Sequence, residues 1–330
     1  MKIAVLGAGS WGTALGQVLN ENGHDIRLWH LEQNFVDTIN QSHMHPFLPG
    51  VKLNHALQFT SSLEEICNYG ELLVSAVPSQ VVRLVLEKFP DNWEKPIVSV
   101  SKGIENITGM RMSEVIAETL HLNPEGIVIL SGPSHAEEVS KKYPTTVVAA
   151  CKNIENARKV QKIFSNEYFR VYSGWDVIGV EIGGAAKNII ALAAGICHGL
   201  DYGDNTMAAL VTRGLEEIIR FGTRMGAERA TFSGLSGMGD LVVTAFSPHS
   251  RNRQVGERIG RGEKLNDILA SMEMVAEGVE TTRSIHDVAQ KNNIDMPLCE
   301  QIYQVLFEDV SPRQAILELM GRELVDEHPV

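Results

Sequence analysis

Two hydrophobic patterns alternate along the first half of the chain. Short apolar or β-branched runs recur at Ile3–Leu6, Ile26–Trp29, Leu72–Val77, Ile97–Val100, Ile127–Leu130, Thr145–Ala150 and Phe169–Tyr172. Most are closed by Gly, Pro or Ser. Between most of them lie longer segments with helical spacing, such as Gly12–Asn22, Val81–Phe89 and Met110–Leu120. Fully apolar strands that alternate with helices predict a parallel sheet covered on both faces. From about Asp176 strand-like runs nearly vanish. Val177–Leu200, Thr206–Met225, Leu265–Met272, Val279–Asn292 and Leu298–Phe307 all read as helices, so the second half is expected to be all-helical. The predicted fold class is α/β: a doubly wound, mostly parallel sheet over residues 1–175, followed by a helical domain over residues 176–330. No linker-like segment separates them, so the cleft between them is the expected place for a site.

The composition is that of an ordinary globular chain, with 330 residues, 44% hydrophobic and 21% charged. That argues against a disordered or fibrous protein. The formal net charge of −12 makes a nucleic-acid partner or an anionic membrane surface a poor expectation. A local cationic pocket for an anionic small molecule stays open. The four cysteines, Cys67, Cys151, Cys197 and Cys299, are far apart and form no C-x-x-C pair. They indicate reduced thiols rather than a disulfide scaffold or a zinc site. The apolar stretch at the N-terminus breaks at Gly7, too early for a signal peptide. The most apolar stretch elsewhere, Ile189–Cys197, is far short of the roughly 18 residues of a membrane span. A cytoplasmic protein without stable membrane insertion is therefore expected.

Gly7-Ala8-Gly9-Ser10-Trp11-Gly12 follows the first predicted strand and opens the first predicted helix. A G-x-G-x-x-G pattern alone is weak, but a strand–turn–helix context makes it specific. Gly7 permits the tight turn, Gly9 lets backbone approach a pyrophosphate, and Gly12 lets helix pack on strand. The helix start then offers N–H groups and positive dipole to phosphates. Residues 1–175 thus read as a Rossmann dinucleotide-binding domain, and residues 176–330 as the substrate-binding domain.

Several strings occur together: GAGSWGTAL (Gly7–Leu15), SKGIE (Ser101–Glu105), SGPSHAEEV (Ser131–Val139), EIGGAAKNIIALAAGI (Glu181–Ile196), FSGLSGMGDL (Phe232–Leu241), HSRNR (His249–Arg253) and VAEGVETT (Val275–Thr282). In this combination, from Met1 to about Leu319, the chain resembles the bacterial NAD(P)-dependent glycerol-3-phosphate dehydrogenases. The resemblance implies a Rossmann domain followed by a helical one, and an oxidoreductase. Its reaction interconverts dihydroxyacetone phosphate and sn-glycerol 3-phosphate, the entry to glycerophospholipid synthesis. It also implies NAD(H) or NADP(H) as cofactor and a homodimer.

Ketone reduction by a nicotinamide needs a proton donor at the carbonyl oxygen and cationic groups on the substrate phosphate. Lys187 lies in a helix otherwise dominated by small and apolar residues. From the residues alone it is either a solvated lysine or a desolvated one with a lowered pKa, suited to acid–base work. The resemblance implies the second, with Asn188 bonding substrate or orienting the lysine. Lys102 follows the Ile97–Val100 run, where open α/β sheets bind ligands. It reads as a loop lysine or as a cation at the developing charge, and the resemblance favours contact with substrate and cofactor.

His249-Ser250-Arg251-Asn252-Arg253 is a solvated basic turn or a phosphate fork. The resemblance sets the substrate phosphate on Ser250, Arg251 and Asn252, with Arg251 also near the cofactor. Asp240, followed one helical turn on by Thr244, would accept hydrogen bonds from substrate or from Lys187, or would merely cap a helix. By resemblance Gly132 and Ser134 contact substrate, Ala136, Val275 and Glu277 contact cofactor, and Ser10 and Trp11 complete the pyrophosphate turn.

After the second strand the chain reads Trp29-His30-Leu31-Glu32-Gln33, without the arginine that many of these relatives carry. Glu32 stands at the spacing from Gly12 at which a carboxylate bonds the ribose hydroxyls, and His30 is the other candidate at the adenosine end. NADH is therefore expected to serve at least about as well as NADPH. Two further readings share the glycine turn: a dehydrogenase of another small hydroxy acid, and a non-catalytic dinucleotide sensor. The Ser250–Asn252 cluster argues against the first, and the joint presence of Lys102, Lys187 and that cluster against the second. His43-Met44-His45-Pro46 reads as a polar loop rather than a metal pair, and Asp201–Asn205 lacks the remaining positions of a calcium loop. No metal is expected.

Overall fold

The computed structural model describes residues 1–90, 92–324, 326 and 327. Eight strands form one sheet: β1 (Lys2–Leu6), β2 (Asp25–Trp29), β3 (Gln58–Thr60), β4 (Leu72–Ser75), β5 (Ile97–Ser99), β6 (Val128–Ser131), β7 (Thr145–Ala150) and β8 (Phe169–Gly174). Their order is β3-β2-β1-β4-β5-β6-β7-β8. All neighbours are parallel except β6 and β7. The connection between those two holds only a single helical turn, Ala136–Val139. That is too little helix for a crossover, so the chain turns back.

Both faces of the sheet are buried, which is why its strands are apolar throughout. Ile3, Val5, Leu28, Val74 and Val98 belong to one core. Ala4, Leu6, Leu73, Ile97 and Ile129 belong to the other. Sequence reasoning missed β3, a three-residue strand, and the helices Gln33–Ser42, Leu63–Tyr69 and Ile154–Phe164.

Beyond Gly174 the described residues are helical or irregular. The expected helices are present with small shifts of their ends, and Asp240–Phe246, Arg251–Gly260 and Pro312–Met320 are added to them. The Val177–Gly199 helix is the core of this half. Its mean hydropathy over 18 residues is 1.5, and 94% of that window is buried. This corrects the expectation that no stretch reaches the length of a span: the helix is long and apolar because other helices surround it. The Arg251–Gly260 helix crosses it at very short range. A Cβ on Gly195 would lie 2.0 Å from the Arg253 carbonyl oxygen, and one on Gly256 would lie 2.0 Å from that of Leu192. Glycine at both contacts lets backbone meet backbone. This crossing brings residues 250–252 to the level of Lys187.

Candidate active site

The strand order reverses between β1 and β4, and the carboxyl ends of these strands open on a cleft of about 390 Å³. Such a reversal is the usual ligand crevice of open α/β sheets. Gly7 holds φ +115°, and a Cβ there would lie 2.8 Å from Ala76 backbone. A Cβ on Gly12 would lie 1.9 Å from the Gly7 carbonyl oxygen. A Cβ on Gly9, by contrast, would meet no atom within 4 Å. The turn is therefore open where a phosphate would approach. Trp11 Nε1 is buried there without a hydrogen-bond partner. These residues fit a dinucleotide.

At the base of the cleft two lysines share one carboxylate. Lys102 follows β5, Lys187 projects from the core helix, and Asp240 begins the Asp240–Phe246 helix. Lys102 Nζ donates to Asp240 Oδ2 at 2.7 Å and to the Gly132 carbonyl oxygen at 3.2 Å. Lys187 Nζ donates to Asp240 Oδ1 and, at 2.8 Å, to Thr244 Oγ1. Thr244 Oγ1 in turn donates a hydrogen bond to the Asp240 carbonyl oxygen at 2.6 Å. Gly239 takes the cap position of this helix, which leaves the Asp240 carboxylate free for the lysines.

Burial pulls the Lys187 pKa down to about 7, with Lys102 adding to the pull and Asp240 opposing it. Burial alone would raise Asp240, but the two ammonium groups outweigh it and hold the carboxyl below its ordinary range. The result is a buried carboxylate at fixed charge beside an amine poised to gain or lose a proton near neutrality.

The far wall is built by the start of the Arg251–Gly260 helix. Ser250 caps it, accepting from the Arg253 N–H at 3.2 Å. Arg251 donates to the Val275 carbonyl oxygen at 2.9 Å, and Asn252 Oδ1 accepts from the Gly278 N–H at 2.9 Å. A guanidinium, a hydroxyl and helix N–H groups thus meet at one place, a set that suits a phosphate. Glu277 accepts from the Ser79 N–H at 3.1 Å and ties the Glu277–Lys291 helix to the sheet domain. Burial pushes its carboxyl above the usual value, with Ser79 and Arg251 opposing.

Of the sequence candidates, Gly7, Gly9, Ser10, Trp11, Gly12, His30, Lys102, Ser134, Ala136, Lys187, Asn188, Thr244, Ser250, Arg251, Asn252, Val275 and Glu277 line this one cleft. Asp240 and Gly132 stand behind the lysines rather than in the wall. Ser134 hydroxyl is turned to the Gly132 carbonyl oxygen at 2.8 Å. Glu32 is exposed at the start of the Gln33–Ser42 helix and is not part of the lining.

Sequence reasoning passed over Phe47, Pro78, Ser101, His135 and Glu137, which also line the cleft. His135 stood inside the SGPSHAEEV string, while Phe47 sits in an irregular loop that no periodicity marks. His45 also departs from the polar-loop reading. It is buried, with Nε2 3.1 Å from the Ala8 carbonyl oxygen, because it braces the glycine turn. Among the described residues no group of three His, Cys, Asp or Glu side chains could hold a metal, and all four cysteines are buried and free.

Family models described as the N-terminus and C-terminus of NAD-dependent glycerol-3-phosphate dehydrogenase match residues 2–157 and 176–317. A glycerol-3-phosphate dehydrogenase (NAD(P)+) of Lysinibacillus sphaericus is 51% identical over 97% of this chain and 96% of its own. One of Pelodictyon phaeoclathratiforme is 48% identical over 99% of each. The crystal structure of glycerol-3-phosphate dehydrogenase from Coxiella burnetii superposes with a TM-score of 0.91 at 36% identity, over 97% of this chain and 99% of that one.

Proposed function

The chain belongs to the NAD-dependent glycerol-3-phosphate dehydrogenase family, and on that premise we propose how it reduces dihydroxyacetone phosphate to sn-glycerol 3-phosphate with NADH or NADPH. The observation that carries the reading is the buried Lys187–Asp240–Lys102 cluster at the foot of the glycine-turn cleft.

Residues 1–175 carry the dinucleotide turn and residues 176–330 the phosphate-binding cluster, and both halves line the one cleft. The end of β8 at Gly174 and the start of the core helix at Val177 support that division. Gly7, Gly9, Ser10, Trp11 and Gly12 would take the pyrophosphate, and His30 the adenosine end, with the expected Glu32 contact given up because Glu32 lies outside the cleft lining. Lys102, Ala136, Arg251, Val275 and Glu277 would line the remainder. Bound there, the nicotinamide supplies the hydride.

The chain's own residues do the rest. Ser250, Arg251 and Asn252 bind the substrate phosphate, and Gly132, Ser134 and Asn188 border the ketone. Lys187 Nζ gives its proton to the carbonyl oxygen as that oxygen gains negative charge. A lysine whose pKa lies at about 7 is matched to that transfer at neutral pH. Lys102 puts a second cation beside the same oxygen and stabilises its charge. Asp240 and Thr244 hold Lys187 Nζ in place before and after the proton leaves. In the cell this reaction feeds glycerophospholipid synthesis from the cytoplasm. The enzyme works as a homodimer, without a nucleic-acid partner or membrane insertion, and a net charge of −12 supports the lack of an anionic partner surface.

The test is loss of NADH absorbance on adding dihydroxyacetone phosphate, and its dependence on the phosphate. Unphosphorylated dihydroxyacetone should be a very poor substrate. Arg251→Lys keeps the charge but loses the planar fork, so the phosphorylated ketone should bind more weakly by about 1.5–3 kcal/mol. Equal turnover of the two ketones by the wild type would refute the phosphate site.

A further inference from the structure

The adenosine end of the cleft is built differently from the acidic reader that the Glu32 spacing suggests. β2 ends at Trp29, and His30 is the first residue beyond it. The end of the second strand is where open dinucleotide-binding sheets reach the ribose. His30 lines the cleft together with the glycine turn, whereas Glu32 does not.

The His30 ring is held by two contacts, an aromatic stack and a backbone hydrogen bond. It stacks on Phe35 with ring centres 4.0 Å apart at 24°. Phe35 in turn meets His45 edge-on at 5.5 Å, and His45 Nε2 lies 3.1 Å from the Ala8 carbonyl oxygen. The platform is thereby tied to the turn that receives the pyrophosphate. Finally, the Glu32 backbone N–H donates to His30 Nδ1 at 3.2 Å. A ring nitrogen that accepts carries no proton, so the neutral imidazole bears its N–H on Nε2. Nε2 makes no hydrogen bond to a described residue.

We infer that His30 reads the 2′ position of the adenosine ribose, as a single neutral donor matched to a hydroxyl at neutral pH and as a cation that attracts a 2′-phosphate in acid. The inference rests on the dinucleotide reading of the cleft. Two ionisable groups face the ring: Glu32 from its own turn, which favours the cation, and His45 from the following loop, which opposes it. Phe35, from the Gln33–Ser42 helix, is apolar. Burial lowers the His30 pKa more than Glu32 raises it, and protonating Nδ1 also sacrifices the bond from the Glu32 amide. The ring is therefore neutral at pH 7. With no arginine in the turn, the 2′-hydroxyl form of the cofactor is the better match there.

The experiment is calorimetric binding of 5′-AMP and 2′,5′-ADP, which differ only in the 2′-phosphate, at fixed ionic strength from pH 8.0 to 5.5. It is run on the wild type, on His30→Gln and on His30→Arg, with NADH binding measured alongside. The phosphate itself gains a proton near pH 6, and the His30→Gln series isolates that effect. Relative to His30→Gln, the wild-type preference for 2′,5′-ADP should grow about three- to tenfold as the pH falls. His30→Arg should prefer 2′,5′-ADP at pH 8.0 by about tenfold more than the wild type does, with no further growth in acid. Wild-type and His30→Gln preferences that stay parallel within twofold, while NADH still binds, would overturn the role of His30 alone. Failure of the wild type to bind NADH or either probe would overturn the dinucleotide reading and this inference with it.

Discussion

Asp240 and Glu217 are two carboxylates of the helical half with nearly the same burial, 1% and 4% exposed, and opposite electrostatic surroundings. Asp240 stands between two ammonium groups that hold it ionised against the pull of burial. Glu217 has no cation within bonding distance among the described residues. It accepts the backbone N–H groups of Leu298 and Cys299, at 2.7 and 3.2 Å, where the Pro297–Phe307 helix begins. Burial pushes its carboxyl up to about 7, with those N–H groups and Arg220 opposing and Asp295 adding to the rise. Depth alone therefore does not make a site. The same low-dielectric surroundings produce a fixed negative charge where lysines converge and a proton-holding acid where only amides do. The first region stands at the foot of the cleft that Lys102, Lys187 and Arg251 line.

The comparison breaks most sharply at Lys187. If that lysine is the proton donor, Lys187→Ala should lower kcat by about 10²–10⁴ with NADH affinity nearly unchanged. Activity within threefold of the wild type would remove it from the reaction. The wild type also carries a pH signature. If Lys187 is the donor, ketone reduction needs the protonated amine, so its kcat/KM should fall as pH rises through about 7. Oxidation of glycerol 3-phosphate needs the free amine and should rise through the same region. Rates that run level from pH 6 to 8 in both directions would contradict this.

Asp240→Asn should cost about 3–5 kcal/mol of folding stability, because the buried Lys187 ammonium and the half-buried Lys102 ammonium lose their counter-charge. It should also move the pH limit of reduction downward, since Asp240 is the group that raises the Lys187 pKa. Denaturant unfolding and the pH–rate profile measure the two effects. An unshifted limit in a normally stable variant would mean that the lysines do not depend on this carboxylate.

The smallest effect is expected at Glu217. In the folded chain it holds its proton up to about 7, whereas an unfolded glutamate releases it near 4.3. The folded state thus binds the extra proton between those values, and the wild type loses this contribution to stability as pH rises through the window. Glu217→Gln has no such proton. Its stability relative to the wild type should increase by about 1–3 kcal/mol between pH 5 and pH 8. A difference that stays flat across that range would show Glu217 to be ionised like Asp240, and the contrast between the two regions would disappear.

Much of the architecture was legible because it is local. Strands buried on both faces must be apolar at successive positions, and those runs stand out. β3 did not, because three residues are too few to show a pattern. The reversal at β7 was missed because strand direction depends on what the connection can span. The Arg251–Gly260 helix was hidden behind charged residues, although it meets the core helix through glycines rather than through an apolar stripe. At the site, Asp240 read equally well as a helix cap. Its cap position is in fact taken by Gly239, and its carboxylate is claimed by residues 53 and 138 positions away.

By itself the sequence determined the glycine turn, the alternating sheet domain, the helical second half and the residue strings that mark the family. Each of these is a demand that a short stretch of backbone makes on its own side chains. Only the tertiary structure decided which charges meet. Lys102, Lys187 and Asp240 become one unit when the core helix packs against the sheet, and the protonation states of Lys187 and Asp240 follow from burial and from separations of a few ångströms. His30 likewise faces the cleft while Glu32 faces solvent, because the first residue after a strand and the first cap of a helix point differently in space. Charge and desolvation act through distance in the folded chain, and spacing along the sequence does not encode that distance.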